Sequence, residues 1–284
     1  MKWDNAKGFP CPGREEYSLG IGEKYYKKRA FTNGEIMHAA AAMDRKYRKS
    51  VFLKIPLDYN IEYKDFGGQV KWNGERYIGA GYVYKEIEEI DNILDIQYQV
   101  GSFALIFDCL SHCPVGEEVL LGVEGPFSVL CSLIDPMTVL RNLRKKKELI
   151  LKVLFHIADI LAEYMKDSIQ LGAVVISYAD PIGTIEFLGK KNYRDFNGIV
   201  TAYLMKCLKP WLDTACIHFC GKCSTALEQT GFVAAWPVAA EGAYGQEVLY
   251  YSQKKEIQFL GHGCIQCENR LVRRIWAMKF VGDD

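Results

Sequence analysis

Short apolar runs alternate with helical periodicity along most of this chain of 284 residues. The runs Val51–Ile55, Glu118–Val123, Ala173–Tyr178 and Thr214–Cys220 are rich in branched residues, which is typical of strands buried on both faces. A helix-spaced apolar pattern fills Lys146–Gln170. Strands separated by helices predict βα units on a parallel sheet. We therefore expect an α/β fold of the (β/α)8 TIM-barrel type, with a doubly wound sheet as the alternative.

Weaker patterns complete the outline of the fold. Asp135 followed by Pro136 is a strong helix start, because Asp caps and Pro suits the first helical position. Further helices are predicted at Glu35–Lys46, from Asp58, within Asp91–Cys109, at Tyr193–Leu208 and, rich in basic residues, at Asn269–Lys279. Further strands are predicted at Gln69–Trp72, Phe232–Ala235 and Ile257–Leu260. Residues 1–30 form an irregular segment in this prediction, and residues 31–284 form a single barrel domain.

The composition excludes several classes of protein. Lys and Arg total 35, Asp and Glu total 35, and 49% of the residues are hydrophobic, so the chain is neither disordered nor able to bind nucleic acid through overall basicity. No apolar run is long enough to span a membrane, and no signal peptide is recognisable. We expect a cytoplasmic protein with reduced thiols, in which clustered cysteines indicate metal or redox chemistry.

Carboxylates follow two of the predicted strands. In parallel α/β folds the reactive groups collect at the carboxyl ends of the strands. Glu124 ends one strand and Asp180 follows another, so both are candidate catalytic residues. Asp58 occupies a similar position. The alternative for Asp180 and Glu124 is a structural one, a helix cap or a turn.

The strand Thr214–Cys220 carries metal-binding residue types. Side chains alternate along a strand, so Cys216, His218 and Cys220 share one face. Two donors at positions i and i+2 can hold one tetrahedral ion, and Gly261–Cys267 offers a third sulfur after a later strand. One nitrogen and two sulfur ligands with an open position are typical of catalytic zinc.

Two other interpretations of these cysteines stay open at this point. Cys220 and Cys223 form one C-x-x-C pair, and Cys264 and Cys267 form another, which also fits a closed structural zinc site with four sulfur ligands. The simplest interpretation is that the cysteines are free and buried and that His218 is a core histidine without a metal.

Several segments, taken in order, resemble the uroporphyrinogen decarboxylase superfamily. EGPFSVLCSLID (Glu124–Asp135) resembles its G-P-F segment, and LGAVVISYADPIG (Leu171–Gly183) resembles its strand ending in Asp-Pro. IHFCG (Ile217–Gly221) resembles its H-x-C-G strand, and Ile55–Val70 an earlier strand and turn. The H-x-C-G strand marks the corrinoid methyltransferase branch, which includes methylcobalamin:coenzyme M methyltransferases.

The resemblance implies a function and its partners. In that branch a barrel binds catalytic zinc through His, Cys and a later Cys, which correspond here to His218, Cys220 and Cys264. The implied reaction moves a methyl group from a methylated corrinoid such as methylcobalamin, held by a corrinoid carrier protein, to a small thiol acceptor. In such a reaction Asp180, because it stands at a strand end, would orient the acceptor or a ligand. The superfamily's decarboxylases carry an Arg-rich N-terminal motif, and Met1–Ala30 shows none, which argues against porphyrin decarboxylation.

Two departures from the superfamily pattern keep other functions open. The first barrel strand has no counterpart before Glu35–Lys46, and the interval from Cys220 to Cys264 is short by about one βα unit. The barrel is therefore expected to be shortened or incomplete, and a non-catalytic relative that binds a corrinoid or a metal is one alternative. A decarboxylase-like lyase is the other, and it needs arginines near the strand ends, for which Arg141, Arg144 and Arg194 are the candidates.

Overall fold

A computed structural model describes residues 28–57, 61–74, 76–98 and 101–282. The helix start expected at Asp58 and most of the segment 1–30 lie outside these ranges, and residues 28–30 are helical. The strands are β1 (Leu53–Ile55), β2 (Val70–Trp72), β3 (Tyr77–Gly79), β4 (Val119–Glu124), β5 (Ala173–Ala179), β6 (Cys216–Cys220), β7 (Val233–Ala239), β8 (Phe259–Gly263) and β9 (Arg274–Phe280).

Ten α-helices connect or cover these strands in the described part of the chain. They are α1 (Gly34–Arg48), α2 (Ile61–Asp65), α3 (Ala104–Ser111), α4 (Pro126–Leu133), α5 (Pro136–Asn142), α6 (Lys147–Gln170), α7 (Ile185–Tyr193), α8 (Ile199–Leu208), α9 (Gly221–Gln229) and α10 (Tyr244–Ser252). The predicted start at Asp135 is confirmed, because its carboxylate accepts the backbone N–H of Thr138 at 3.1 Å. No described helix is long and apolar enough to cross a membrane.

Seven strands form one sheet in the order β1-β4-β5-β6-β8-β9-β7. All neighbouring pairs from β1 to β8 are parallel, and β9 runs antiparallel to both β8 and β7. The prediction of a mixed α/β fold on a mostly parallel sheet is confirmed. Strands β1 and β7 are the two edges, so the sheet does not close into a barrel within the described residues.

The chain between Cys220 and Cys264 explains why one βα unit seemed to be missing there. Strand β7 lies in this interval, but it does not enter the sheet between β6 and β8. It pairs with β9 at the far edge, which leaves β6 directly beside β8. The carboxyl ends of β6 and β8, which carry the candidate metal ligands, are therefore immediate neighbours.

Two apolar clusters cover the two faces of the sheet. The larger cluster includes Ile217 and Phe219 of β6 and packs against the long helix α6. The smaller cluster holds Cys216 of β6 together with Tyr244 and Val248 of α10. Strand β6 thus presents alternate residues to two different cores, as expected for a strand buried on both faces.

The predicted basic helix at Asn269–Lys279 is wrong, because this segment contains strand β9. Ile275 and Ala277 enter the smaller cluster, whereas Met278 and Phe280 enter the larger one. Residues directed to the two clusters alternate with the two-residue period of a strand. The basic residues at the exposed positions of this segment had suggested a helix. Helices α4, α9 and α10 were not predicted, since each is short and lacks a clear apolar stripe.

Candidate functional site

His218 lies in the middle of the sheet with both faces covered, and its side chain is fully buried. Its Nε2 atom lies 2.9 Å from the hydroxyl oxygen of Tyr244, and the two rings meet edge to face. Its Nδ1 atom has no hydrogen-bond partner among the described residues. Burial lowers the pKa of His218 to about 4, and the charge of Lys54 acts in the same direction. The imidazole is therefore neutral at neutral pH, the form that binds metals.

Tyr244 begins helix α10 and is the central residue of this site that the sequence did not reveal. A methyl group on Gly263 would lie 2.3 Å from the Tyr244 ring, so the ring occupies space that only glycine leaves open. Burial raises the pKa of Tyr244, and the thiols of Cys264, Cys216, Cys267 and Cys220 raise it further, so the phenol stays protonated. No residue type or spacing around Tyr244 in the sequence marks it.

Cys264 follows β8 directly and is 5% exposed. Strand β8 contains a β-bulge, because it has one more residue than β6 over the stretch that faces His218 to Cys220. His262 lies in this bulge and has a φ of 59°. The bulge places Gly263 opposite Cys220. Cys220 and Cys264 therefore stand at adjoining strand ends.

Cys220 differs from its strand neighbours because the chain turns into α9 at Gly221. The expectation that Cys216, His218 and Cys220 share one face is wrong for Cys220, because Cys220 packs against the larger apolar cluster, whereas Cys216 belongs to the smaller one. Its sulfur lies 3.3 Å from the sulfur of Cys223, and the two share a hydrogen bond. That bond, helped by the backbone N–H groups of Cys223 and Lys222, lowers the pKa of Cys220 to about 7.

A buried ion pair lies near His218. Lys54 of β1 donates to Glu268 at 2.6 Å, and the hydroxyl of Ser50 donates to the other carboxylate oxygen of Glu268 at 2.6 Å. Both Ser50 and Glu268 are buried. These residues come from opposite ends of the described chain, so no spacing in the sequence could have grouped them.

The two carboxylates predicted from strand ends have different surroundings. Asp180 is fully buried, and its carboxylate accepts from the backbone N–H groups of Phe127, Ser128 and Gly183 and from the Ser128 hydroxyl. It thereby joins the end of β5 to the start of α4. Glu124 is half-buried at the end of β4.

Glu62 is a buried carboxylate that the sequence did not single out. The backbone N–H of Glu124 donates to Glu62 at 3.1 Å. Burial and, to a smaller extent, the charge of Asp65 raise the pKa of Glu62 from 4.5 to about 7. Because this carboxyl is enclosed beside the end of β4, its titration near neutral pH bears on the stability of the fold.

The zinc ligands expected from the sequence were His218, Cys220 and Cys264. Within the described ranges no group of three or more His, Cys, Asp or Glu side chains is arranged to hold a metal ion. None of the nine cysteines in these ranges forms a disulfide. The Nε2 atom of His218 is hydrogen-bonded to Tyr244, and the thiol of Cys220 is hydrogen-bonded to Cys223. Metal binding through either atom therefore requires it to exchange its present partner.

Comparisons with known proteins agree on the fold. A methyltransferase from Methanosarcina mazei has a similar structure, with a TM-score of 0.56 and 16% sequence identity over 82% of this chain and 71% of that one. No curated protein matches. The family model for uroporphyrinogen decarboxylase (URO-D) matches residues 28–236, well over half of the chain. The chain therefore belongs to the uroporphyrinogen decarboxylase family.

Proposed function

We propose that this protein is a zinc-dependent methyltransferase that moves a methyl group from a methylated corrinoid, held by a separate carrier protein, to a small thiol. One observation carries the proposal: a neutral buried imidazole, His218, lies on β6 two residues before Cys220, and Cys220 stands beside the end of β8, which Cys264 follows. The shared fold with a methyltransferase from Methanosarcina mazei supports it.

The types of donor atom offered by His218, Cys220 and Cys264 are those that zinc prefers. Imidazole nitrogen and cysteine sulfur are the preferred ligands of zinc, and thiolates disfavour magnesium and calcium. His218 is neutral without a metal, and its Nδ1 has no hydrogen-bond partner in the described structure, so this nitrogen can accept a metal ion in the tautomer that carries the proton on Nε2. When bound, zinc supplies a Lewis acid that keeps an acceptor sulfur in the thiolate form.

Residues around the ligands have roles in this proposal that follow from their contacts. The protonated hydroxyl of Tyr244 faces His218 and donates a hydrogen bond to a group that approaches the imidazole. The ammonium of Lys54 is paired with Glu268, and its charge opposes protonation of the same imidazole.

We assign different roles to the carboxylates of Asp180 and Glu124. Asp180 is a positioning residue, since its oxygens hold the start of α4 and the turn at Gly183. Glu124, half-buried at the end of β4, is the carboxylate we assign to orienting the acceptor.

A decarboxylase-like lyase finds less support. Such an enzyme needs arginines near the carboxyl ends of the strands to bind substrate carboxylates. Arg141 lies in the last turn of α5, and Arg194 begins the π-helical segment Arg194–Gly198. Arg144 is exposed in the turn that follows α5, so none of the three candidate arginines lies at a strand end.

The experiment is a methyl-transfer assay with zinc-loaded protein, methylcobalamin and either coenzyme M or homocysteine. We expect the methylated thiol and the demethylated corrinoid to appear in equal amounts. His218→Ala should abolish this reaction, and Cys267→Ser is the control that should retain it. Binding of methylcobalamin without any methylated thiol would replace the proposal with the non-catalytic alternative.

A further inference from the structure

The pair Cys220 and Cys223 stands apart from the proposed zinc site because the two sulfurs already face each other. We propose that Cys220 and Cys223 form a redox-active dithiol that closes to a disulfide by exchange with a small-molecule disulfide. This activity rests on the junction of β6 and α9 alone, and it does not depend on methyl transfer.

The junction sets the spacing of the two thiols. Strand β6 ends at Cys220, which is the N-cap residue of α9, and Cys223 lies within the first turn of that helix. Residues three apart in a helical turn point to the same side. The sulfurs accordingly lie 3.3 Å apart and in hydrogen-bond contact. A bond between them requires only a small approach, because neither backbone has to leave its element.

The two thiols differ in access. Cys220 is partly exposed, whereas Cys223 is buried at 3% exposure. The backbone N–H of Asp180 donates to the sulfur of Cys223 at 3.1 Å and fixes its position. An external disulfide therefore meets Cys220 first, and Cys223 is the thiol that resolves the mixed disulfide.

The exchange is balanced in two steps. The sulfur of Cys220 attacks one sulfur of an external disulfide, the disulfide bond breaks, and one external thiol leaves with the proton that Cys220 lost. The sulfur of Cys223 then attacks that of Cys220, and the second external thiol leaves with the proton of Cys223. The protein dithiol is oxidised by two electrons, and one external disulfide is reduced to two thiols.

Another nearby cysteine pair in the described structure provides a comparison. Cys109 and Cys113 are four residues apart near the end of α3, and Cys109 is fully buried. The thiol of Cys113 donates to the backbone oxygen of Cys109. The side chains of Cys109 and Cys113 are hydrogen-bonded to each other as well, so proximity is present in both pairs. The pairs differ in position, because Cys220 caps the start of a helix, whereas Cys109 and Cys113 lie at the end of one.

Closure of the dithiol has a consequence for the proposed zinc site. Cys220 belongs to both, so a disulfide to Cys223 removes one zinc ligand. Bound zinc, conversely, should protect Cys220 from exchange. The sulfur of Cys220 can therefore either form the disulfide or bind zinc, but it cannot do both at once.

The test treats the full metal-free chain with glutathione disulfide, alkylates the remaining thiols and maps the peptides by mass spectrometry. We expect a disulfide within the peptide that holds Cys220 and Cys223. Cys223→Ser should instead accumulate a glutathione adduct on Cys220, and Cys220→Ser should form neither product. Cys113→Ser is the matched control and should leave the disulfide unchanged.

Two outcomes overturn the inference. One is full alkylation of Cys220 and Cys223 after treatment, and the other is a disulfide from Cys220 to Cys264 or Cys267. Circular dichroism of each variant shows whether it folds, and the wild-type peptide map decides the question even if a variant does not. The methyl-transfer assay is separate, so failure of one proposal leaves the other standing.

Discussion

The Nε2 atom of His218 and the hydroxyl oxygen of Tyr244 lie 2.9 Å apart in a fully buried contact between β6 and α10. The contact ties the helix that covers one face of the sheet to the strand that carries the candidate ligands. It also occupies Nε2, one of the two imidazole nitrogens that could bind a metal. The state of this pair therefore decides whether His218 serves the packing of the core or a metal.

The first prediction concerns the identity of the zinc ligands. His218→Ala and Cys264→Ala should each lose most bound zinc after dialysis against a weak chelator, because each removes one of three ligands. Cys223→Ala and Cys267→Ala should keep it. Metal content is measured by elemental analysis. Zinc retained in His218→Ala together with zinc lost from Cys223→Ala would support the site with four sulfur ligands instead.

The second prediction concerns the space for Tyr244. Gly263→Ala should destabilise the fold by about 1–3 kcal/mol, because the added methyl group meets the buried Tyr244 ring at 2.3 Å. Gly242→Ala is the control, since its methyl group meets chiefly the flexible end of the Glu247 side chain. The free energy of unfolding is measured in urea. Equal free energies of unfolding for the two variants would contradict the prediction, because they would mean that the Tyr244 ring can move aside without destabilising the fold.

The third prediction concerns Asp180. Asp180→Ala should cost about 2–4 kcal/mol of unfolding free energy, because it leaves the buried donors of Ser128 and Gly183 without their acceptor. Asp135→Ala removes a similar helix-capping carboxylate at a partly exposed site and should cost only about 1 kcal/mol. Urea unfolding of both variants gives the comparison. A smaller cost for Asp180→Ala than for Asp135→Ala contradicts the structural role.

The fourth prediction concerns Glu62 and pH. Burial raises its pKa to about 7 in the folded chain, against 4.5 without burial, so the folded state keeps a proton that the unfolded state has lost. The contribution of Glu62 to the free energy of unfolding is fully present below pH 4.5 and is lost as the pH rises to about 7. The loss amounts to roughly 3 kcal/mol at most.

Glu62→Gln should remove this dependence, because an amide carries no titrating proton and still offers an oxygen to the N–H of Glu124. The variant should gain stability over the wild type as the pH rises from 5 to 7, and the gain should stay constant above that. Urea unfolding across this range measures it. Exposed Glu256→Gln is the control. A difference between Glu62→Gln and the wild type that does not change with pH would contradict the prediction.

Local patterns in the sequence determined the parallel strands, the long helix α6 and the capped start at Asp135, because strand burial, helical periodicity and capping each depend on residues close together in the chain. The same patterns identified His218, Cys220 and Asp180 at strand ends. They failed at β9, where basic residues hid an alternation that became apparent only against two apolar clusters.

Tertiary structure alone decided which groups meet. The pairing of β6 with β8, rather than with β7, brings Cys220 beside the end of β8. Tyr244 reaches His218, and Glu268 reaches Lys54, across long stretches of sequence. Such contacts depend on sheet order and on space left by a glycine, and neither property is local to the residues involved. The turn of the chain at Gly221 likewise directs Cys220 toward Cys223, because a helix begins where the strand ends.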